Sequence, residues 1–547
     1  MQRRHFLGAL AAVPGALSAA ASQAARGGVP DAELENPYAD VDWDRCAFVP
    51  SMSHQHQGQT DASRDVFYEM GYRHFAFSNY YPSSPTPLPD DYRARHPDVA
   101  TAPNAEQHSF TDAGLHFNGL GSLLATGYGK SLGARDYAAT PLVHRFEKLN
   151  VFSAARPAEG VYRLDVYLKN VAGDGKTPGP ALLTVEGATE CAHRERFADR
   201  GPIENRPFTA GKHAIYLRTS APTLATKLVY DPKQIAVTGF RLMQGTNRPW
   251  REMFRAALDG ETIDGRQVGG LLYQDGGGIT LNHPGAAADE YLPMLDFDPR
   301  VLGIEVWNQH FGFGAGSERA GDVNLHYYRL WDDLLRAGRR CWGFFVKDHL
   351  TYGRGRNVLL LPPASSASAA EHDAAALRAY RRGAFFGAVS SIAVNDDGEA
   401  APPHDRSAFR FRRIAVRRDE AGRAAAIEVA VAGHDAALRP NVQIRFVTDQ
   451  GTAAVVDAER GEFVLPRHDD GRLIPQFVRI EAFAYPRTHQ RGVALTAAEV
   501  GKMSVHEISQ LHDHRTKLGP ANYGGTDDPA PPIPIADLIF SQPLRRV

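Results

Sequence analysis

Residues 47–60 read AFVPSMSHQHQGQT, a short apolar run that ends in two histidines one residue apart. Side chains at i and i+2 of a strand share a face, so His54 and His56 can converge on one point at the end of this strand. Two neutral imidazoles meeting there suit a divalent cation, although an isolated His-x-His also occurs as one solvated and one loop-bonded histidine. What the rest of the chain brings to the same place decides between them.

Working outward, Ser63–Arg73 carries Val66, Phe67 and Met70 at helical spacing, and His74–Ser78 returns as a strand, which makes a βαβ beginning. Strand and helix alternate again from Trp250. WREMFRAALDG (250–260) reads as a helix, GGITLNHPG (277–285) and VLGIEVWN (301–308) as strands, and NLHYYRLWDDLLRAGRR (324–340) as a helix with the stripe Tyr327, Trp331, Leu334 and Leu335. The strand CWGFFVKDH (341–349) and a helix over 371–386 follow. Between the two parts, residues 126–248 change to short strand-like runs such as VYRLDVYLKNV (161–171) and KHAIYLRTS (212–220), set off by Gly, Pro and Asn. That spacing without helices predicts an inserted all-β sandwich. After the linker-like NDDGEAAPPHD (395–405), the runs FRFRRIAV (409–416), AIEVAVAG (426–433), VQIRFVTD (442–449) and FVRIEAFAY (477–485) predict a C-terminal β-rich domain over 405–547.

The length of 547 residues implies several cores, and 61 Lys+Arg against 63 Asp+Glu give no global field that would recruit nucleic acid or an anionic membrane. Three cysteines exclude a disulfide framework. A single pairing of Cys46 with Cys341 stays open beside the alternative of buried free thiols. The first 27 residues, MQRRHFLGALAAVPGALSAAASQAARG, pair a twin arginine with a short Ala/Leu stretch and small residues, the pattern of a twin-arginine export signal. The expected location is periplasmic or secreted, with no integral membrane span; a retained anchor helix is the other reading.

In α/β folds with parallel strands the active site is built at the carboxyl ends of the strands. The ends here carry His54 and His56, then Ser78-Asn79-Tyr80, Asn282-His283-Pro284, Glu305 to Asn308, and Lys347-Asp348-His349. Histidines and carboxylates without cysteine suit zinc, manganese or iron.

Six segments in this order resemble the polymerase and histidinol phosphatase (PHP) superfamily of metal-dependent hydrolases, in the branch named for carbaryl hydrolase. They are the HxH strand end, with Asp61 as the nearest following carboxylate; NAEQHSFTDAGLHFNGLG (104–121) with Glu106 and His116; Asn282-His283-Pro284; GIEVWN (303–308); ALRAYRRGAFFGAVSS (376–391); and the terminal FVRIEAFAY and IFSQPL. The resemblance implies an irregular (β/α)7-type barrel over 38–125 and 249–395, interrupted by the sandwich. It implies hydrolysis of a phosphoester, ester or carbamate bond by water that a divalent ion activates. His54, His56, Glu106, His116, His283 and Asp348 would be its ligands. His349 or Tyr80 would donate a proton to the leaving group, and Lys347, Arg354 and Arg356 would neutralise an anionic substrate.

Two departures bear on the metal count. The family's second strand ends in TDH where this chain has Ser78-Asn79-Tyr80, and its last strand ends in D-x-H where Asp348 and His349 are adjacent. On a regular strand only one of two adjacent residues points inward unless a bulge re-aims the other, so one or two ions are expected rather than three. Two other functions stay open: an enzyme acting on a polysaccharide with the sandwich as glycan-binding module, and a non-catalytic binding protein with a degenerate metal site.

Overall fold

The computed structural model describes residues 33–58, 60–78, 88–108, 115–124, 128–130, 142–145, 149–150, 160–173, 177–186, 190–193, 203–219, 223–244, 250–263, 266–285, 287–308, 318–349, 354–363, 368–391, 408–489, 493–513 and 533–547. The export-signal reading of residues 1–27 and the proton-donor reading of Tyr80 lie outside these.

The elements that position the site are β1 (Ala47–Met52), α1 (Asp61–Glu69), β2 (His74–Phe75), β3 (Ala100–Thr101), β4 (Glu106–His108) and β5 (His116–Leu120). After the insertion come α2 (Trp250–Asp259), β6 (Gly278–Asn282), α3 (Ala288–Leu295), β7 (Val301–Asn308), α4 (Glu318–Arg336), β8 (Trp342–Val346), β9 (Gly355–Leu361), α5 (Ala369–Arg382) and β10 (Phe385–Val389). Local chemistry sets their limits. Ser368 caps α5 and shares a capping box with Glu371, and Gly383 ends the helix at φ 75°, a conformation that costs glycine little. Every residue of β7 is buried, as a strand covered on both faces requires.

The strands fall in two sheets. In the first, β1 runs parallel to β2 and β2 to β3, while β9 pairs antiparallel with the other edge of β1 and β10 follows it. In the second, β4, β5 and β6 are antiparallel neighbours, and β6, β7 and β8 are parallel. Two seams join them. The backbone of Asp348 donates to the His54 carbonyl at 3.1 Å, and the His56 amide donates to the Asp348 carbonyl at 3.2 Å. On the other side the chain between β3 and β4 serves both sheets: the Ala102 amide donates to Phe75 and the Glu106 amide to Ser78, while the Pro103 carbonyl accepts from Gly121. The hydrogen-bond path thus runs from β1 through β2, the β3–β4 segment, β5, β6, β7 and β8, and returns to the residues that follow β1.

Residues 128–244 contain only strands among their described elements, and these pair antiparallel in two five-stranded sheets. The C-terminal strands continue the first sheet. β11 (Phe477–Tyr485) and β12 (Asp537–Ser541) pair with each other, and β12 pairs with β10. Accordingly Phe477, Phe483 and Phe540 share one apolar cluster with Trp307, Phe345 and Val389, and the rings of Phe345 and Phe540 stack at 5.0 Å. The C-terminal region therefore walls the same core that backs β7 and β8. Cys341 is buried and Cys46 half-buried, both as free thiols, so the pairing left open above is not made. Burial pushes the Cys341 thiol up to about 12.

Candidate metal centre

The residues after β1 are held before any side chain reaches the site. The Ser53 carbonyl accepts from the amides of Asn104 and Asn118, each at 2.8 Å, and the Ser53 hydroxyl accepts from Asn357 at 3.0 Å. With Ser53 pinned from two strands and the β3–β4 segment, the His-x-His segment projects both rings into a common interior.

There the donors meet. His54 Nε2 lies 3.0 Å from His56 Nε2, 3.6 Å from Glu106 Oε2 and 3.4 Å from Asp348 Oδ1. His56 Nε2 lies 3.1 Å from Glu106 Oε2 and 3.2 Å from Asp348 Oδ1. Donors sharing one divalent ion at about 2.0–2.3 Å stand about 3–3.5 Å apart, which is the spacing of these four atoms. Glu106 Oε2 and Asp348 Oδ1 are buried, and neither makes a well-formed hydrogen bond despite the nearby imidazoles. Buried acceptors left in this way need a cation or a donor, so the donor set fits a metal.

Glu106 also faces a second group. Its Oε1 lies 3.1 Å from His116 Nδ1 and 3.1 Å from His283 Nε2, and it accepts from Asn282 Nδ2 at 3.0 Å. One carboxylate thus offers a separate oxygen to each of two donor groups. Among the described residues, His, Glu and Asp side chains can hold a metal ion here in three overlapping sets: His54, His56 and Glu106; Glu106, His116 and His283; and His56, Asp348 and His349.

Two backbone conformations make this possible. His283 has φ 24° and Asp348 has φ 55°, both in the left-handed region that side chains other than glycine adopt at a cost of about 1–3 kcal/mol. At Asp348 this turn resolves the adjacency problem posed by the sequence. Asp348 points at the cluster, and His349 folds back so that its ring stacks on His56 at 4.3 Å with Nε2 3.5 Å from Asp348 Oδ1. His349 is the open member, its side chain 38% exposed against 6% for His56.

The electrostatics match. Burial disfavours a charged His54, yet the carboxylates of Asp348, Glu305 and Glu106 hold its pKa well above the ordinary histidine value. Burial likewise opposes the ionised Glu106 and Asp348, and His54 is the leading influence among those that keep both well below the usual carboxylate range. Without a metal, the imidazole of His54 and the carboxylates around it thus favour one another's charged forms within a compact buried set.

Other expected members sit elsewhere. Asp61 opens α1 on the surface and pairs with Arg64 and Arg95, which corrects its reading as the carboxylate that follows the His-x-His. It fails because Asp61 is the first residue of α1, behind the Thr60 cap, and its side chain lies at the surface with the helix N-terminus. Lys347 is buried on the α1 side of β8, its ammonium 4.6 Å from the Tyr72 ring centroid and 5.9 Å from that of Phe67. Burial lowers its pKa well below the usual lysine value. Strand alternation sends Lys347 to the face opposite Asp348, so its placement gives no support to a catalytic role. Arg354 is buried and donates to the carbonyls of Ser390, Ser509 and Ala536, and the buried Arg356 donates to the Ser390 hydroxyl. Arg354 thus ties the C-terminal region to the end of β10, and both guanidiniums lie in the interior, which gives no support to a substrate-binding role. Ser78 takes a structural place, its hydroxyl accepting from the Gln55 amide at 2.9 Å.

Glu305 and Asn308, read in the sequence as strand-end residues of the site but given no role there, prove to be close partners of the donors. Glu305 Oε1 lies 2.5 Å from His54 Nδ1, and Asn308 Nδ2 reaches both Glu305 Oε2 at 2.9 Å and Asp348 Oδ2 at 3.1 Å. Their signal was present in GIEVWN, a strand with a carboxylate and an amide three residues apart at its carboxyl end. No protein-family model matches this chain, and no curated protein matches it.

Proposed function

We propose that the protein is an exported metal-dependent hydrolase of the PHP type, in which β1 to β8 form an irregular barrel and the clustered side chains hold two divalent ions. The observation that carries this reading is the convergence of His54, His56, Glu106 and Asp348 at ligand spacing, with Glu106 extending its second oxygen to His116 and His283. The closed hydrogen-bond path of the strands supports the barrel, and the N-terminal twin arginine supports export. The mixed imidazole and carboxylate donors favour zinc, manganese or iron.

When bound, a divalent ion lowers the pKa of water and polarises the scissile oxygen of a phosphoester, ester or carbamate. The protein's own groups do the rest. Glu106 and Asp348 supply buried negative charge, and Asn282 and Asn308 fix the orientation of their carboxylates. His349, exposed and stacked on His56, is positioned to give a proton to a leaving group at the open side of the cluster.

Elemental analysis of the purified full-length protein, with turnover of aryl phosphates and aryl esters before and after chelation, tests the proposal. The expected result is two equivalents of metal and an activity lost on chelation and in His54→Ala. A metal-free preparation of full activity overturns it.

A further inference from the structure

Three polar groups converge on the Glu305 carboxylate. His54 Nδ1 lies 2.5 Å from Oε1, while the His283 backbone amide at 2.6 Å and Asn308 Nδ2 at 2.9 Å both donate to Oε2. His54, Glu305 and Asn308 expose no more than about a fiftieth of their surface, and His283 is partly buried. An ionised carboxylate accepts and cannot donate, so the His54 ring must carry a hydrogen on Nδ1 to meet it. In the metal-bound ring this leaves the lone pair on Nε2, the atom that faces Glu106 and Asp348.

We infer that Glu305 is the positioning residue that sets the tautomer of His54 and so determines whether the first of the two ion positions can form. The inference rests on the metal-centre reading. Glu305 also holds the His283 amide at the turn where φ is 24°, which places the His283 ring on the other oxygen of Glu106. Replacing it by glutamine separates these two duties. The backbone hydrogen of His283 cannot reverse, and Asn308 Nδ2 is held in place by its second bond to Asp348 Oδ2, so the new amide oxygen faces them and its NH2 faces His54. His54 then has to accept at Nδ1 and carry its hydrogen on Nε2, where it blocks coordination. The His116 and His283 group keeps its support.

Titration of wild-type, Glu305→Gln and Glu305→Asp full-length protein with Co(II), followed by visible absorption and calorimetry, tests this. Glu305→Gln is expected to bind one ion normally and the other about 10- to 100-fold more weakly, with the corresponding part of the cobalt spectrum lost. Glu305→Asp, which keeps an acceptor-only group, is expected to recover part of that affinity. Equal binding of both ions by Glu305→Gln and wild type overturns the inference, as does equal loss of both. Should Glu305→Gln fail to fold, histidine-selective 15N NMR of the zinc-loaded wild type reads the tautomer directly. A hydrogen on Nδ1 of His54 supports the assignment and a hydrogen on Nε2 refutes it. If the wild type itself takes up no metal, the metal-centre reading fails first, an outcome distinct from a wild type that binds two ions and a variant that matches it.

Discussion

His74 offers a test of the interior beneath the metal centre that does not involve the metal. The ring is fully buried on β2, with Nδ1 2.7 Å from the Ser51 hydroxyl, which in turn lies 2.6 Å from the Tyr380 hydroxyl. Burial, with a smaller contribution from His372, lowers its pKa from 6.5 to about 3. A histidine whose folded pKa is depressed binds fewer protons in the native state than in the unfolded chain between those two values. Stability therefore rises with pH across this window and is lost as pH falls below 6.5. Each pH unit inside the window is worth about 1.4 kcal/mol, so integration from pH 7 to pH 5 gives a loss of about 2 kcal/mol from this one ring. Urea unfolding of wild type and His74→Gln at pH 5, 6 and 7 measures it. Glutamine cannot titrate, so the variant carries a constant offset and its fall in stability between pH 7 and pH 5 should be smaller by about 2 kcal/mol. Parallel curves for the two proteins would show that His74 is not held neutral in the folded interior, and the reasoning about this network would fall.

Glu106→Gln should lose both ions, because each carboxylate oxygen faces a different donor group, whereas His116→Ala should lose one; inductively coupled plasma analysis of metal per chain distinguishes them. His349→Ala should retain full metal content yet lower turnover of substrates with poor leaving groups about 100-fold, with a smaller effect on activated aryl esters. Arg479 lies buried between Asp332, 2.9 Å away, and Glu481. Arg479→Met strands both carboxylates and should cost about 3–5 kcal/mol in urea unfolding, whereas a change under about 1 kcal/mol would show that the network is solvated.

Much of the architecture around the site was legible from periodicity. The strand read over 301–308 is β7 to the residue, and the helices read at 250–260 and 371–386 are α2 and α5 within a few positions. These segments announce themselves because an apolar stripe at helical spacing or a continuous buried run is a property of neighbours in the chain. The identities of the donors were equally visible, since His54, His56, Glu106, His116, His283 and Asp348 are polar residues at or near the ends of apolar strands. The continuation of the first sheet into β11 and β12 was not visible, because hydrogen bonding between strands about 150 residues apart leaves no local mark.

What the residue order alone determined, then, is which elements form and which chemically competent side chains stand at their ends. Only the tertiary structure decided which of those side chains meet. The His54 and Asp348 atoms face each other because of a pairing between segments almost three hundred residues apart, and Glu106 serves two groups because β4 lies beside β5. Whether an end residue turns inward hung on one torsion: φ at Asp348 brings both Asp348 and His349 to the cluster, while regular alternation carries Lys347 to the far face. Asp61, with the right chemistry and the right spacing, went to the surface with its helix N-terminus. Periodicity describes the environment of a segment, but coordination depends on distances of a few ångströms between segments, and those are set by register and packing across the whole fold.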